Sequence, residues 1–193
     1  VLILSGDQLY QMDYSALVDF HVKNKGDITI ATIPVHTKDA TGFGILKSDE
    51  NNVITSFIEK PNKEELVNWS SDVSESMERQ GRNYLASMGI YVFSKGVLKS
   101  LLQENPGMDF GKEIIPESIE SKNVLSYQFD GYWTDIGTIS SFFEANIGLT
   151  DDIPDFNLFN ETVYTRARML PPSKISGTTL NNTIVSDGCI LNG

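Results

Sequence analysis

Three short stretches of this 193-residue chain carry side chains that can do chemistry. Asp7 follows the apolar run Val1-Leu2-Ile3-Leu4 across Ser5-Gly6. The carboxyl ends of strands in an open α/β sheet form the ligand crevice, so a carboxylate there is placed to meet a ligand. A hard cation such as Mg²⁺ takes one or two protein carboxylates and completes its shell with phosphate oxygens and water, so Asp7 needs only one distant partner. Asp135, in Gly131-Tyr132-Trp133-Thr134-Asp135-Ile136-Gly137-Thr138, is the candidate for that partner. The third stretch, Phe57-Ile58-Glu59-Lys60-Pro61, sets an acid beside a base. A carboxylate suits bidentate acceptance of two sugar hydroxyls, and an ammonium meets a phosphate as a point charge. Each stretch also has a plainer reading. Ser5-Gly6-Asp7 can merely turn the chain, and Glu59-Lys60 can be a solvated pair. Thr138 can cap a helix while Asp135 shapes the loop, and Trp133 can pack at a sheet edge.

These residues need elements to hold them. Val1 to Leu4 reads as a strand buried on both faces of a parallel sheet. Asp13 caps a helix whose apolar positions Leu17, Val18 and Val22 keep helical spacing, with Gly26 ending it. Asp27 to Val35 alternates and is rich in β-branched residues, so strand, helix and strand make a βαβ crossover. Phe43 to Lys47 and Val53 to Glu59 flank a turn-rich tetrad, Asp49 to Asn52, and form a hairpin. At its end Pro61 biases Lys60 towards an extended backbone. Neighbours in a regular strand face opposite ways, so Glu59 and Lys60 meet one ligand only if the strand bends.

Pro61 to Arg82 is a surface excursion with one short helix. Beyond it come a strand at Tyr84 to Phe93, a helix at Lys95 to Glu104 and another after Asp109-Phe110-Gly111. A strand at Val124 to Phe129 and a helix from Ile139 to Gly148 complete a layered α/β/α domain with a mainly parallel sheet. The expected domain bounds are 1–150, with a Pro-punctuated linker at 151–174. In the tail, Ile184 and Ile190 fall six apart, as do Val185 and Leu191. That is the period of a left-handed parallel β-helix, expected to begin at 175–193.

Composition narrows the partners. There are 26 Asp+Glu against 15 Lys+Arg, a net charge of −11, and no basic run, which argues against nucleic acid as a partner. Arg166, Arg168 and Lys174 form one small basic group, read as a solvated face or a seat for a phosphorylated effector. One Cys and two His exclude an internal disulfide and a zinc cluster. No apolar stretch reaches the roughly 18 residues that cross a bilayer. The expectation is a reducing, cytoplasmic protein. The chain opens inside an apolar run and closes just after Ile190-Leu191, so it reads as a piece of a longer polypeptide.

Taken in order, the motifs resemble the glucose-1-phosphate adenylyltransferase (ADP-glucose pyrophosphorylase) family of glycogen and starch synthesis. The matching stretches are Leu4-Ser5-Gly6-Asp7-Gln8-Leu9-Tyr10 with Met12-Asp13-Tyr14, Phe43-Gly44, Glu59-Lys60-Pro61 and Leu85 to Phe93. Asp109-Phe110-Gly111 with Ile115-Pro116, Gly131 to Thr138, and Leu170-Pro171-Pro172-Ser173-Lys174 continue them. The resemblance implies a Rossmann-like nucleotidyltransferase fold followed by the start of the β-helix. It implies that Asp7 and Asp135 hold a catalytic Mg²⁺, that Glu59 grips glucose hydroxyls, and that Lys60 binds the phosphate of glucose 1-phosphate. Ser87 and the backbone near Gly44 would complete that pocket. The other substrate would be ATP, and the assembly a homotetramer under allosteric control by a glycolytic metabolite. Gln8 stands where the family usually has His. The family's glycine-rich nucleotide loop lies upstream of Val1, leaving the base unread. A thymidylyl- or uridylyltransferase and a non-catalytic regulatory subunit are the alternatives.

Overall fold

The computed structural model describes residues 1–104, 110–159, 166 and 168–193. Asp109, expected to open a helix, lies outside them, as do residues 160–165 and 167 of the expected linker. Contacts divide the chain into two compact units, Val1–Gly6 with Met12–Gly131, and Asp7–Gln11 with Tyr132–Gly193.

The elements in chain order are β1 (Leu2–Ile3), β2 (Gln8–Tyr10), α1 (Tyr14–Lys23), β3 (Ile28–Val35), α2 (Thr37–Ala40), β4 (Gly44–Ser48) and β5 (Ile54–Glu59). They continue with α3 (Glu75–Arg79), β6 (Tyr84–Phe93), α4 (Lys95–Glu104), α5 (Ile115–Ile119), β7 (Val124–Gln128) and β8 (Trp133–Asp135). α6 (Ile139–Gly148), β9 (Lys174–Ser176) and β10 (Ile190–Asn192) follow. A 3₁₀ turn at Glu65–Asn68 and a π turn at Phe110–Ile114 lie between them.

The first unit is built on a six-stranded sheet, β5-β4-β6-β3-β7, with β1 also on β6. The sheet is mixed rather than mainly parallel. Only β3–β7 runs parallel, while β1–β6, β3–β6, β4–β5 and β4–β6 are antiparallel. The crossover from β1 through α1 to β3 does join strands of like direction, but β6 lies between them. β1 is also shorter and less buried than its sequence implies, with Val1 53% and Leu4 42% exposed.

Alternation along β3 assigns the helices to both faces. Ile28 and Ile30 join a core with Leu46, Ile54, Phe93, Ile115 and Val124, against which Val97, Leu98 and Leu101 of α4 pack. Thr29 points the other way and bonds His21 of α1, Nδ1 to Oγ1 at 2.8 Å. Helices therefore cover both sides of the sheet.

Local signals explain most element ends. The Asp13 carboxylate accepts the amides of Ser15 and Ala16 at 2.8 and 3.3 Å, capping α1. Its other end differs from expectation. Asn24 is the cap and Lys25 takes the left-handed turn at φ +52°, while Gly26 is buried for want of space. A Cβ on Gly26 would meet His21 Nδ1 at 2.9 Å and Leu125 Cδ1 at 3.0 Å. The hairpin forms as expected, its turn closed by Asp49 accepting from the Asn51 and Val53 amides. The excursion after Pro61 holds the 3₁₀ turn and α3 rather than one helix, and it buries Leu66.

The second unit holds the two-stranded antiparallel ribbon β2–β8, the helix α6 and a parallel pair β9–β10. Thr138 caps α6 in a reciprocal box with Ser141. Within the tail, Ile184 and Val185 fall outside any strand, whereas Ile190 and Leu191 pair with Lys174 and Ile175. No helix among the described residues is long and apolar enough to cross a membrane.

Candidate active site

The candidate residues fall into two groups, one in each unit. Gly44, Glu59, Lys60 and Ser87 belong to the first unit, Asp7 and Asp135 to the second.

Glu59 ends β5 directly opposite Gly44 of β4. Gly44 is buried, and the space its side chain would fill is taken by the Phe57 ring, at 2.5 Å, and by the Glu59 carboxylate, at 2.9 Å. Only a glycine lets the carboxylate lie across the neighbouring strand, so Gly44 shapes the site through its missing side chain. Lys60 follows with φ +47°, in the left-handed region, and its amide donates to Phe43 O at 3.1 Å. This overturns the expectation that Pro61 holds Lys60 extended. A non-glycine residue in that conformation costs on the order of 1–3 kcal/mol, and such strain concentrates at functional sites. The strain also supplies the bend that the strand needs if adjacent Glu59 and Lys60 are to share a ligand. Lys60 is exposed and Glu59 half-buried.

Ser87 sits in β6 beside a bulge. Ile30 of β3 faces Tyr91 but Thr32 faces Ser87, so two residues on one strand span four on the other. Gly89, at φ +67°, makes the excursion, and its amide donates to Ser87 Oγ at 3.3 Å. Bulges re-aim side chains next to active sites. Nothing in the alternation of Leu85 to Phe93 signals this one, apart from the glycine itself.

In the second unit the ribbon β2–β8 brings together residues far apart in sequence. Gln8 pairs with Asp135, and Ile136 N donates to Asp7 O at 2.9 Å. Asp135 Oδ1 accepts the Gly137 amide at 2.9 Å, while Thr138 caps α6, so the loop-shaping and capping readings hold together. A Cβ built on Gly137 would stand 3.0 Å from Asp135 Oδ1 and 3.1 Å from Asp7 Oδ2. Two carboxylate oxygens thus converge on one point. The strand β8 makes this possible, and sequence reading takes it for loop. Asp7 is exposed and Asp135 half-buried.

The family model for nucleotidyl transferases matches residues 1–152. The chain belongs to the nucleotidyl transferase family. Both groups of candidate residues fall inside the matched span, whereas β9 and β10 lie beyond it. The charge of a nucleoside triphosphate is of the kind a divalent cation can offset.

The donor set fits such a cation. Two carboxylate oxygens converge beside Gly137, and hard oxygen donors suit Mg²⁺. Among the described residues no three His, Cys, Asp or Glu side chains group together, so the remaining positions would fall to phosphate and water. A separate cleft of about 500 Å³ includes Gln11, Tyr132, Asp152, Asp155 and Phe156 in its lining, but neither carboxylate of the pair. Burial, and then Asp155, raise the Tyr132 pKa, so its hydroxyl stays neutral. Arg166, Arg168 and Lys174 are all exposed.

Proposed function

We propose that the chain forms a nucleoside diphosphate sugar, with glucose 1-phosphate and ATP as substrates and ADP-glucose and pyrophosphate as products. Membership of the nucleotidyl transferase family carries the reaction class. The convergence of Asp7 and Asp135 at Gly137 is the observation that supports a working catalytic site. The choice of glucose and of adenine rests on the motif resemblance.

A phosphate oxygen of the sugar phosphate attacks the α-phosphorus, and the bond to the leaving pyrophosphate breaks with its electron pair going to that group. The nucleophile is already an anion, so the protein needs no activated Ser or Cys. Its tasks are to position two polyanions and offset their charge. Lys60 holds the sugar phosphate, Glu59 accepts glucose hydroxyls, and Ser87 and the strand at Gly44 complete the sugar side. Asp7 and Asp135 hold Mg²⁺, which supplies charge neutralisation at the phosphates when bound.

The tail supports a second element of the proposal. β9 and β10 pair in parallel register, Ile190 with Lys174, with no helix between them. Gly177 and Gly188 turn the intervening chain at φ +68° and +77°. We read this as the first rung of a left-handed β-helix. A homotetramer under metabolite control in the cytoplasm follows from the same resemblance.

The test, made on the full-length protein, is pyrophosphate release from glucose 1-phosphate with ATP, UTP, dTTP and GTP in parallel, with and without Mg²⁺. Release with ATP alone supports the proposal. Preference for another nucleotide keeps the reaction and replaces the base. No release from a folded protein replaces it with a regulatory subunit.

A further inference from the structure

Among the described residues, no hydrogen bond or salt bridge fixes the Glu59 carboxylate, although Glu59 is half-buried. What confines it is packing over the notch at Gly44. Phe57 Cζ and Cε2 stand 2.5 and 3.0 Å from where a Gly44 Cβ would lie, and Glu59 Oε2 stands 2.9 Å from the same point. Phe57 pairs with Leu46, two residues from Gly44, so its ring crosses the ladder on the diagonal, a reach that aromatic side chains have. The ring is also anchored, because Phe57 packs against the core cluster that includes Leu46 and Ile54. The atoms it presents at the notch are ring-edge carbons, the positive rim of the aromatic quadrupole, which suits a neighbouring carboxylate.

We propose that Phe57 is a positioning residue of the sugar site. Its ring fills the notch over Gly44 and confines the Glu59 carboxylate where it meets the glucose hydroxyls. This rests on the reading of Glu59 as the acceptor of those hydroxyls. Ordering a long side chain during binding weakens the complex, and a ring already in place removes that cost from the binding step. Phe57→Leu shortens the side chain, opens the notch and lets the carboxylate wander. The hydroxyls lie away from the reacting phosphate, so ground state and transition state lose alike, and KM rises at unchanged kcat.

The experiment is steady-state kinetics of the full-length protein, with the nucleotide that gives turnover and melting curves on the same samples. Wild type, Phe57→Leu, Glu59→Ala and the double variant are compared. Phe57→Leu is expected to raise the KM for glucose 1-phosphate about three- to tenfold, with kcat and the nucleotide KM near wild type. Glu59→Ala raises that KM as well. Adding Phe57→Leu to Glu59→Ala changes it by less than about twofold, because the ring has no carboxylate left to place. A wild-type KM in Phe57→Leu overturns the proposal and leaves the Glu59 reading standing. So does an equal rise in both backgrounds, since the ring then acts on something other than Glu59. A wild-type KM in Glu59→Ala, or a wild type without turnover, overturns both. If Phe57→Leu melts early, Phe57→Met, longer and flexible, replaces it with the same expected rise. Early melting of both marks Phe57 as a core residue only and overturns the positioning role.

Discussion

Asp7 and Asp135, far apart in the chain, each bring one oxygen to within about 3 Å of a single point beside Gly137. The ribbon that joins them is short, three residues a side, with Gln8 opposite Asp135 and Tyr10 opposite Trp133. A cation held there, as proposed above, would offset the repulsion of the two like charges.

Lys60 offers a separation of binding from stability. Its left-handed backbone is a cost to the fold that glycine would not bear. Lys60→Gly is expected to raise the thermal midpoint, by a stabilisation of about 1 kcal/mol, while Lys60→Ala does not. Both variants raise the KM for glucose 1-phosphate and leave the KM for the nucleotide near wild type. Melting curves and steady-state kinetics on the two variants check this. A rise in nucleotide KM alone contradicts the role given to Lys60.

Gly26 is filled space rather than a flexible joint. Gly26→Ala would drive a methyl into His21, Leu125 and Thr29 at 2.9–3.0 Å, so a loss of about 1–3 kcal/mol is expected from overpacking. Urea unfolding measures it. A variant as stable as wild type would show that α1 can shift to make room.

His21 links stability to pH. Ser94 Oγ donates its one proton to Gly26 O at 3.1 Å, so His21 Nε2–H donates to Ser94 and Nδ1 accepts from Thr29. Burial holds the pKa below its ordinary 6.5, and Asp27 opposes it. As pH falls through 6.5 the unfolded chain takes up the proton first, and stability declines until the folded-state value is passed. The thermal midpoint should therefore drop from about pH 7 to about pH 5 more steeply in wild type than in His21→Asn. Parallel slopes would contradict the assignment.

The sequence carries the order of elements and most of their types, because apolar periodicity and capping residues act locally. Asp13, Thr138 and the Asp49 turn are where expected for that reason. Sheet direction is not local. β6 enters between β1 and β3 through pairings such as Ile30 with Tyr91, which no window around either residue reveals. The site divides the same way. Asp7, Glu59, Lys60 and Asp135 are conspicuous as residue types, whereas the role of Gly44 exists only once Phe57 and Glu59 occupy the space beside it. The strain at Lys60 is likewise invisible, since Pro61 argues locally for an extended backbone, whereas the Lys60 amide bonds to Phe43 O, a partner distant in sequence.

The decisive measurement is Mg²⁺-dependent pyrophosphate release by the full-length wild type and its Asp7→Asn and Asp135→Asn variants, with melting curves recorded on the same samples. Loss of a group that stabilises transition-state charge costs on the order of 100- to 1000-fold in turnover. Both asparagine variants should fall by about that factor at unchanged thermal midpoint, and wild type should fall with them when Mg²⁺ is removed. Turnover by either variant at the wild-type rate would contradict the assignment of Asp7 and Asp135 as the pair that holds the cation.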